Sequence, residues 1–450
     1  MIEVKFASKL VLPTIEMPIY NESKENDPEF GAGGVRMQTK VDGILAPLVK
    51  LNSVTIMSSQ IKNMHLTCDK FPRIELEIED TMMLFKSLDN PSNDNILQVQ
   101  LLPQFDNVYK KINLTFFITD YYLLGGNINI TGIYNIPKLW DTCMEAFGKI
   151  TSYEFFEQVA KSLGLGFCSN IDSIEDSRYI FSKNNNIINL MNSEIEYSGK
   201  DEHVCDYWID YWNNLNFIDI YKEYSLIESD ENMKLWVEDL DYNKSDSEDK
   251  STPIEIAAVI TNSPIMENTQ LYVTDYTPAS QSSMITDQII EIYEMDTNTT
   301  SSITVIDGDI KNDVFKTYTY YGENVGETKY LNNRITRQLF LNKVNGTTIE
   351  VELPRPMLGL MRGGKVNFFF YDINRYLTEE IAEKTELKSN IKLPENIITD
   401  DAKYIINASV SGQYYIINSS IHFEQGKWRH VLKLGRYIDE VNKYLNDERK

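Results

Sequence analysis

The feature that most constrains the fold is a strict alternation of apolar and acidic residues at Arg73–Glu79, which reads Arg-Ile-Glu-Leu-Glu-Ile-Glu. Successive side chains of a β-strand point to opposite faces, so this segment predicts a strand with one buried and one solvated face. The same style recurs in four other segments: Met1–Phe6, Ile96–Leu102, Ile112–Ile118 and Ile128–Tyr134. Short strands separated by Pro, Asn, Asp and Gly predict a small antiparallel barrel or sandwich that ends near Pro137.

The middle of the chain opens with a helix-start signal at Thr151–Glu154, which reads Thr-Ser-Tyr-Glu. A hydroxyl there can accept a backbone N–H, and the glutamate can reach back to the helix start. Phe155, Val159 and Leu163 then recur at i, i+4 and i+8, and Gly164 supplies the positive φ at which many helices end. The pattern predicts one amphipathic helix of about three turns.

A second amphipathic block spans His203–Leu215, in which Val204, Trp208 and Trp212 mark one face. It runs into a short strand-like segment, Phe217–Ile220. Aromatic residues in and after this block are so dense that one face cannot hold them all: Tyr207, Trp208, Tyr211, Trp212 and Phe217. One interpretation is a core shared between the middle helix and a barrel. The other is that part of the cluster packs on a neighbouring subunit, because exposed aromatic patches usually mark partners.

The last third of the chain is again rich in predicted strands. Thr347–Pro354 is a strand stopped by proline, and Leu358–Lys365, with its paired glycines, is a tight turn before the strand Val366–Tyr371. Two further strands are predicted at Val410–Ile417 and Trp428–Arg436. These segments predict a second small barrel.

A chain of 450 residues is too long for one compact core, so we expect two to four folding units. The acidic run Glu238–Lys250 has the composition of a linker. The predicted fold is mainly β with an α/β middle: two small antiparallel β-barrels flanking an α+β domain. Its predicted parts are an N-terminal barrel at 1–137, a middle domain at 138–240, an acidic linker and insertion at 241–335, and a C-terminal barrel with a polar helical tail at 336–450.

Smaller features complete this division. Within the insertion, we expect short strands at Ile254–Ile260 and Gln270–Val273 and exposed loops at Ser280–Ser283 and Asn298–Ser302. Outside the insertion, the glycine-rich segment Asp27–Gly34 predicts a mobile loop. Leu377–Lys388 predicts a charged insertion, and Tyr437–Lys450 predicts a polar tail.

The charge of the chain disfavours one class of function. Asp and Glu number 67 against 43 Lys and Arg, which gives a formal charge of −24, whereas DNA-binding proteins neutralise phosphates with Lys and Arg. Such an acidic surface would let DNA slide past without sticking, although a merely soluble acidic protein explains the charge as well. We expect neither a signal peptide nor a membrane span, and no stable membrane insertion.

Motifs of catalysis and metal binding are weak in this sequence. The four histidines, His65, His203, His422 and His430, show no paired-ligand spacing and no Ser nucleophile motif. The four cysteines, Cys68, Cys143, Cys168 and Cys205, lie far apart, so we expect buried thiols in a reducing compartment and no zinc site. The acidic residues sit on solvated strand faces, which does not favour a glycosidase pair. We therefore predict no catalytic residue, no cofactor and no metal.

Two regions resemble a known family. Thr151–Phe167, followed by Trp208–Ile220, is similar to the middle of the baseplate central hub proteins of T-even-like contractile bacteriophages. The segments Leu358–Lys365 and Val410–Ile417, with the Leu-Lys-Leu-Gly-Arg close of the last strand, resemble a barrel of the same proteins. That family shares its fold with late-control tail proteins and with the base of type VI secretion spikes.

The resemblance implies a structural protein of the virion tail baseplate, assembled in the host cytoplasm. A homotrimer with two barrels per protomer would form a pseudo-sixfold ring between the hexameric tail tube and the trimeric central spike, with wedge proteins as further partners and phage DNA as passing cargo. Interface candidates are Trp208, Trp212, Tyr207, Tyr211, Phe217, Leu358, Arg362, Gly363, Gly364, Tyr414 and Tyr415. The alternatives are a β-rich carbohydrate-active tail enzyme and another tail adaptor, such as a distal tail or wedge protein.

Overall fold

The computed structural model describes much of the first half of the chain and part of the second. In the first half it describes residues 3–10, 12, 15, 46–81, 83–88, 95–102, 111–142, 146–182, 185–199, 203–220 and 222. In the second half it describes the strands given below and residues 337, 340–341, 356, 360 and 362–364. The chain is mainly β with helices in the middle region, as the sequence predicted.

The N-terminal β region is one antiparallel run of strands. The first strand of the chain, β1 (Glu3–Phe6), lies apart from this run. The elements of the run are β2 (Leu48–Leu51), β3 (Val54–Ile56), β4 (Ile61–Cys68), β5 (Pro72–Glu79), the short helix α1 (Leu84–Leu88), β6 (Ile96–Leu101), β7 (Ile112–Leu124) and β8 (Asn127–Tyr134). The strands β2 to β8 lie in the order β4-β5-β8-β7-β6-β2-β3, and every neighbouring pair is antiparallel. The prediction for β5 is confirmed, because Ile74, Leu76 and Ile78 are buried while Arg73 and Glu75 are exposed.

Among the described residues, the middle region combines three helices and five strands, and three of these strands form a small mixed sheet with β1. Its elements are α2 (Pro137–Trp140), β9 (Ala146–Ile150), α3 (Ser152–Leu163), β10 (Gly166–Ser169), β11 (Arg178–Phe181), α4 (Ile187–Glu196), β12 (Cys205–Ile209) and β13 (Asn214–Asp219). The sheet order is β1-β10-β13-β12, and β10 and β13 run parallel. β9 and β11 form a separate antiparallel pair.

Helix α3 confirms the capping signals of the sequence. The Thr151 hydroxyl accepts the backbone N–H of Glu154 at 3.2 Å, and the Glu154 carboxylate accepts the backbone N–H of Thr151 at 2.8 Å. Gly164 ends the helix with φ of 74°. Phe155 and Val159 are fully buried, so the apolar stripe faces the core as predicted.

The second amphipathic block is not a helix, although Val204, Trp208 and Trp212 recur at helical spacing. It is a hairpin of β12 and β13, in which the Asp210 carboxylate accepts the backbone N–H groups of Trp212 and Asn214, each at 2.9 Å. Asn213 completes the turn with φ of 62°, which asparagine tolerates. Because β12 is buried on both faces, it shows no alternation of apolar and polar residues, and Tyr207-Trp208-Ile209 alone does not distinguish a strand from a helix.

In the part of the second half that the structure describes there are ten strands: β14 (Glu255–Ala258), β15 (Tyr272–Thr277), β16 (Gln288–Glu294), β17 (Thr299–Val305), β18 (Thr317–Glu323), β19 (Thr347–Leu353), β20 (Lys365–Tyr376), β21 (Tyr404–Ile406), β22 (Gly412–Glu424) and β23 (Lys427–Arg436). The strands predicted in the last third all occur. The exposed loop predicted at Asn298–Ser302 was wrong, because Thr299–Ser302 pairs with β16 as part of β17. Threonine fits a strand well, and this outweighed the polar composition.

Several predicted features lie outside the described residues: Asp27–Gly34, Glu238–Lys250, Ser280–Ser283, Leu358, Leu377–Lys388 and Tyr437–Lys450. The division of the chain into four parts therefore stays a prediction. Among the residues that the structure does describe, no helix is long and apolar enough to cross a membrane.

The two β regions are joined edge to edge. The start of β22 pairs with β20, from Lys365↔Tyr415 to Phe368↔Gly412. The end of β22 pairs antiparallel with β4, from Ser419↔Cys68 to Glu424↔Asn63. We call this β4–β22 pairing the seam. It makes a single 14-stranded sheet from both ends of the chain. Buried side chains of the N-terminal β region, the middle region and the β22–β23 hairpin form one continuous apolar cluster beside it.

Candidate functional site

All three regions meet at one buried carboxylate, that of Asp206 on β12, which is 2% exposed. Lys70, between β4 and β5, donates from Nζ to Oδ1. Arg337 Nη2 lies 3.2 Å from the same oxygen, and Arg362 Nη2 lies 2.7 Å from Oδ2. We call these four residues the junction cluster. One carboxylate thus binds cations from the N-terminal β region and from the second half of the chain.

Each cation of the junction cluster also donates to a backbone carbonyl. Lys70 Nζ lies 3.1 Å from the carbonyl oxygen of Tyr207, Arg337 Nε lies 3.0 Å from that of Cys205, and Arg362 Nη1 lies 3.0 Å from that of Ile417. Lys70 Nζ is also 4.6 Å from the centre of the Tyr207 ring. Buried charges need such paired and hydrogen-bonded surroundings, so the cluster fixes the relative position of the elements that supply it.

The charges of the cluster explain its pKa shifts. Burial alone would raise the pKa of Asp206, but Lys70, Arg362 and Arg337 outweigh it and hold that pKa well below its usual range. Burial lowers the pKa of Lys70 to about 8, against the opposing attraction of Asp206. Burial also acts to lower the pKa of Arg362, yet the Asp206 carboxylate raises it above its ordinary value. The carboxylate is therefore ionised at neutral pH, and its charge binds the three cations.

The turn that carries Arg362 fits closely against the middle region. Gly363 has φ of 86°, and a Cβ built there would lie 2.4 Å from Cη2 of Trp208. Its N–H donates to the carbonyl of Ile416 at 3.1 Å, and Ile416 N–H donates to the carbonyl of Gly364 at 2.9 Å. Only glycine meets both the backbone conformation and the contact with the indole.

Tyr211, in the turn between β12 and β13, reaches the seam from its core side. Its hydroxyl lies 2.9 Å from the carbonyl oxygen of Leu66 on β4 and 3.3 Å from that of Ser419 on β22. Its ring is fully buried. The middle region therefore contacts both strands of the seam through one side chain.

The predicted interface residues lie mostly inside the chain. Fully or almost fully buried are Tyr207, Trp208, Tyr211, Phe217, Tyr414 and Tyr415, with exposures of 0 to 4%, and Gly363 is buried too. Trp212, Arg362 and Gly364 are partly exposed, and Leu358 lies outside the described residues. The burial favours the interpretation of the aromatic cluster as part of a core inside the chain, whereas the assignment of that core to a barrel stays a prediction. Packing of the buried members on a neighbouring subunit is not supported, because their surface is already covered.

The outer face of the seam carries a group that the sequence did not reveal. His65 on β4 and His422 on β22 are directly opposite each other, with ring centres 4.3 Å apart, and Glu424 Oε1 lies 3.2 Å from His65 Nε2. Burial, followed by the charges of His65 and Arg429, lowers the pKa of His422 to about 4. No spacing in the sequence brings these residues together, because 357 positions separate the two histidines and only strand pairing unites them. We call His65, His422 and Glu424 the seam histidine cluster.

A buried Ser–His contact lies on the core side of β22 and β23. Ser419 Oγ is 2.7 Å from His430 Nε2 and 3.1 Å from the carbonyl oxygen of Leu360. Burial lowers the pKa of His430 to about 3, so this imidazole is neutral at physiological pH. Both side chains are fully buried, and in this conformation they present no surface to a substrate.

The three cysteines that the structure describes, Cys68, Cys168 and Cys205, are buried free thiols, as predicted.

Comparison with known proteins finds no matching family model and no matching curated protein. Solved structures with a similar fold include a tail protein from Neisseria meningitidis MC58, at 10% identity and a TM-score of 0.48, covering 89% of this chain and 99% of that one. A 43 kDa tail protein of prophage MuSo2 from Shewanella oneidensis has 11% identity, the same TM-score and coverage of 89% and 98%. An Escherichia coli component of the type VI secretion system, described as similar to tail proteins of bacteriophage T4, has 8% identity, a TM-score of 0.41 and coverage of 87% and 77%.

Proposed function

We propose that this chain is the central hub of a contractile phage tail baseplate. In this role three copies form a ring of six β modules, which presents near-sixfold symmetry to the tail tube and threefold symmetry to the central spike. Wedge proteins bind around the ring, and the genome passes through it during ejection. The protein acts by matching symmetries and makes or breaks no bond.

The observation that carries this proposal is the seam. A symmetry adaptor needs its two β modules in a constant relative position, because six modules form a regular ring only if each protomer holds its pair rigidly. The β4–β22 pairing supplies a continuous hydrogen-bonded connection between the two β regions. The junction cluster and Tyr211 then fix the middle region against the same strands.

The charge of the chain supports the same role. A formal charge of −24 per protomer becomes three times larger in a trimer, and like charge keeps a DNA duplex from adhering to the ring. A protein that held DNA would instead need a surplus of Lys and Arg. The resemblance of Thr151–Phe167 and Leu358–Lys365 to the hub proteins gives the proposal its particular form.

The test is the mass and shape of the purified full-length protein. Native mass spectrometry is expected to give three copies per particle, and negative-stain images are expected to show a ring with six similar lobes. Mixing with the tail tube and spike proteins of the same particle should place the ring between them. A chain that stays monomeric in these mixtures, or a ring of another order, would overturn the hub proposal and favour a different adaptor. Hydrolysis of host polysaccharide by the pure chain would favour the carbohydrate-active alternative.

A further inference from the structure

The outer face of the seam brings two imidazoles into contact across two strands. His65 and His422 are direct partners in the antiparallel ladder, and their rings are tilted by 41° at a centroid distance of 4.3 Å. Glu424 lies two residues beyond His422 and therefore on the same face of the sheet. The cluster thus takes one side chain from the N-terminal β region and two from the C-terminal β region.

The donor atoms of the cluster are close to the geometry of a metal site. One ring nitrogen from each histidine and one oxygen of Glu424 lie within 4.8 Å of one another, and His65 Nε2 and Glu424 Oε1 are already 3.2 Å apart. Bonds of 2.0–2.2 Å in a tetrahedral site place neighbouring ligand atoms roughly 3.3–3.6 Å apart. The His65 and Glu424 atoms, at 3.2 Å, are close to this distance. The third needs a side-chain rotation, which partial exposure allows.

Neighbouring side chains orient two of the three donors. The third, His65, has only the exposed Glu75 carboxylate behind it, with Oε2 at 3.9 Å from Nδ1, which adds negative charge without a hydrogen bond. Ser420 Oγ is 2.9 Å from Nε2 of His422, which leaves the other ring nitrogen for a metal. Arg429 binds Oε2 of Glu424, and this leaves Oε1 directed towards His65.

A solvated polar ladder is the simpler explanation of such a face, and cross-strand ion pairs are common there. It does not explain why two histidines occupy directly opposed positions. If both were protonated they would repel each other, whereas two neutral imidazoles each keep one nitrogen lone pair that can bind a cation. A cation between them uses both lone pairs, and the Glu424 carboxylate balances part of its charge.

We propose that the seam histidine cluster binds a divalent first-row transition metal of the zinc class and so links the two β regions. Two nitrogen donors and one carboxylate suit zinc and its neighbours, whereas calcium and magnesium prefer oxygen ligands throughout. Three protein ligands leave a coordination position for water. The metal strengthens the same β4–β22 contact on which the rigidity of the protomer depends, and its binding can be measured whether or not the chain forms a ring.

The test titrates the metal-free full-length chain with Zn²⁺ in a calorimeter, with Mg²⁺ as the comparison ion. We expect one Zn²⁺ per chain, no binding of Mg²⁺, and a rise in the melting temperature with Zn²⁺, because a ligand of the folded state stabilises it. Co²⁺ is expected to give visible d–d absorption of a low-symmetry nitrogen and oxygen site. Substoichiometric Zn²⁺ binding, or equal binding of Mg²⁺, would overturn the proposal.

Variants assign the site. His65→Gln and His422→Gln are each expected to abolish the one-to-one binding. The matched control is His203→Gln, because His203 lies outside the cluster and is half-exposed. This variant should bind like the unmodified chain. Retention of the site in both His65→Gln and His422→Gln, or its loss in His203→Gln, would refute the assignment. Since the Co²⁺ spectrum needs no variant, it decides the matter if a variant fails to fold.

Discussion

The junction cluster and the seam histidine cluster hold the same β regions together but lie in opposite environments. The Asp206 side chain is 2% exposed and binds three cations, whereas His65 and Glu424 are 34% and 28% exposed. A buried ion pair is expensive to break, because the remaining partner stays charged in a medium that does not solvate it. A partly exposed pair is screened by water, so its loss costs little. Burial, more than the number of ionic contacts, therefore decides which of the two clusters stabilises the fold.

The largest effect is expected for Asp206→Ala, which leaves Lys70, Arg337 and Arg362, each 10 to 23% exposed, without their shared anion. Denaturant unfolding should show a loss of about 3–5 kcal/mol in the free energy of unfolding. The matched control is Asp172→Ala, because Asp172 pairs with Lys5 but is 89% exposed. This control should show no measurable change. Equal losses in the free energy of unfolding for the two substitutions would contradict the claim that burial decides the contribution of an ion pair.

The second largest effect is a loss of stability in acid, which we expect from the low pKa of the Asp206 carboxylate. The pKa of Asp206 is lower in the folded protein than the ordinary value of 3.8, so its contribution is complete well above that value. As the pH falls below 3.8 towards the folded-state pKa, this contribution is lost. Urea unfolding from about pH 7 to about pH 3 should show a shallower decline for Asp206→Asn than for the unmodified chain. Parallel curves would mean that other carboxylates cause the acid sensitivity.

A smaller effect is expected for Gly363→Ala, where the new Cβ meets the Trp208 ring. Overpacking of this kind typically costs about 1–3 kcal/mol, beyond the strain of the backbone. Gly126→Ala is a close control, because Gly126 has φ of 87° against 86° for Gly363 but no atom within 4 Å of its Cβ. The difference between the two variants in free energy of unfolding measures the contact alone. If the two variants are equally stable, close packing of the Gly363 turn against Trp208 does not contribute to the loss of stability.

The smallest effect is expected on the outer face. Without added metal, Glu424→Gln should change the free energy of unfolding by less than about 1 kcal/mol, although it removes contacts to both His65 and Arg429. With Zn²⁺ the difference from the unmodified chain should widen. A large loss without metal would show that the outer face contributes to stability as the junction does.

Local signals predicted much of the fold. The alternation in β5 was correct because a half-buried strand needs only its own residues to show the period. The helix α3 was correct because Thr151, Glu154 and Gly164 act within a few residues of the helix ends. The hairpin of β12 and β13 was missed, since burial on both faces removes the period that would have identified it.

The sequence alone predicted the strands with a clear alternation, the capped helix and the acidic net charge, because each depends on neighbouring residues or on a sum over the chain. Only the tertiary structure decided that both ends of the chain share one sheet, that Asp206 receives three cations and that His65 faces His422. These features depend on the register of β22 against β4, and a shift by one residue would turn His422 to the other face of the sheet. Nothing local encodes such a register, since it is set by the packing of the whole core.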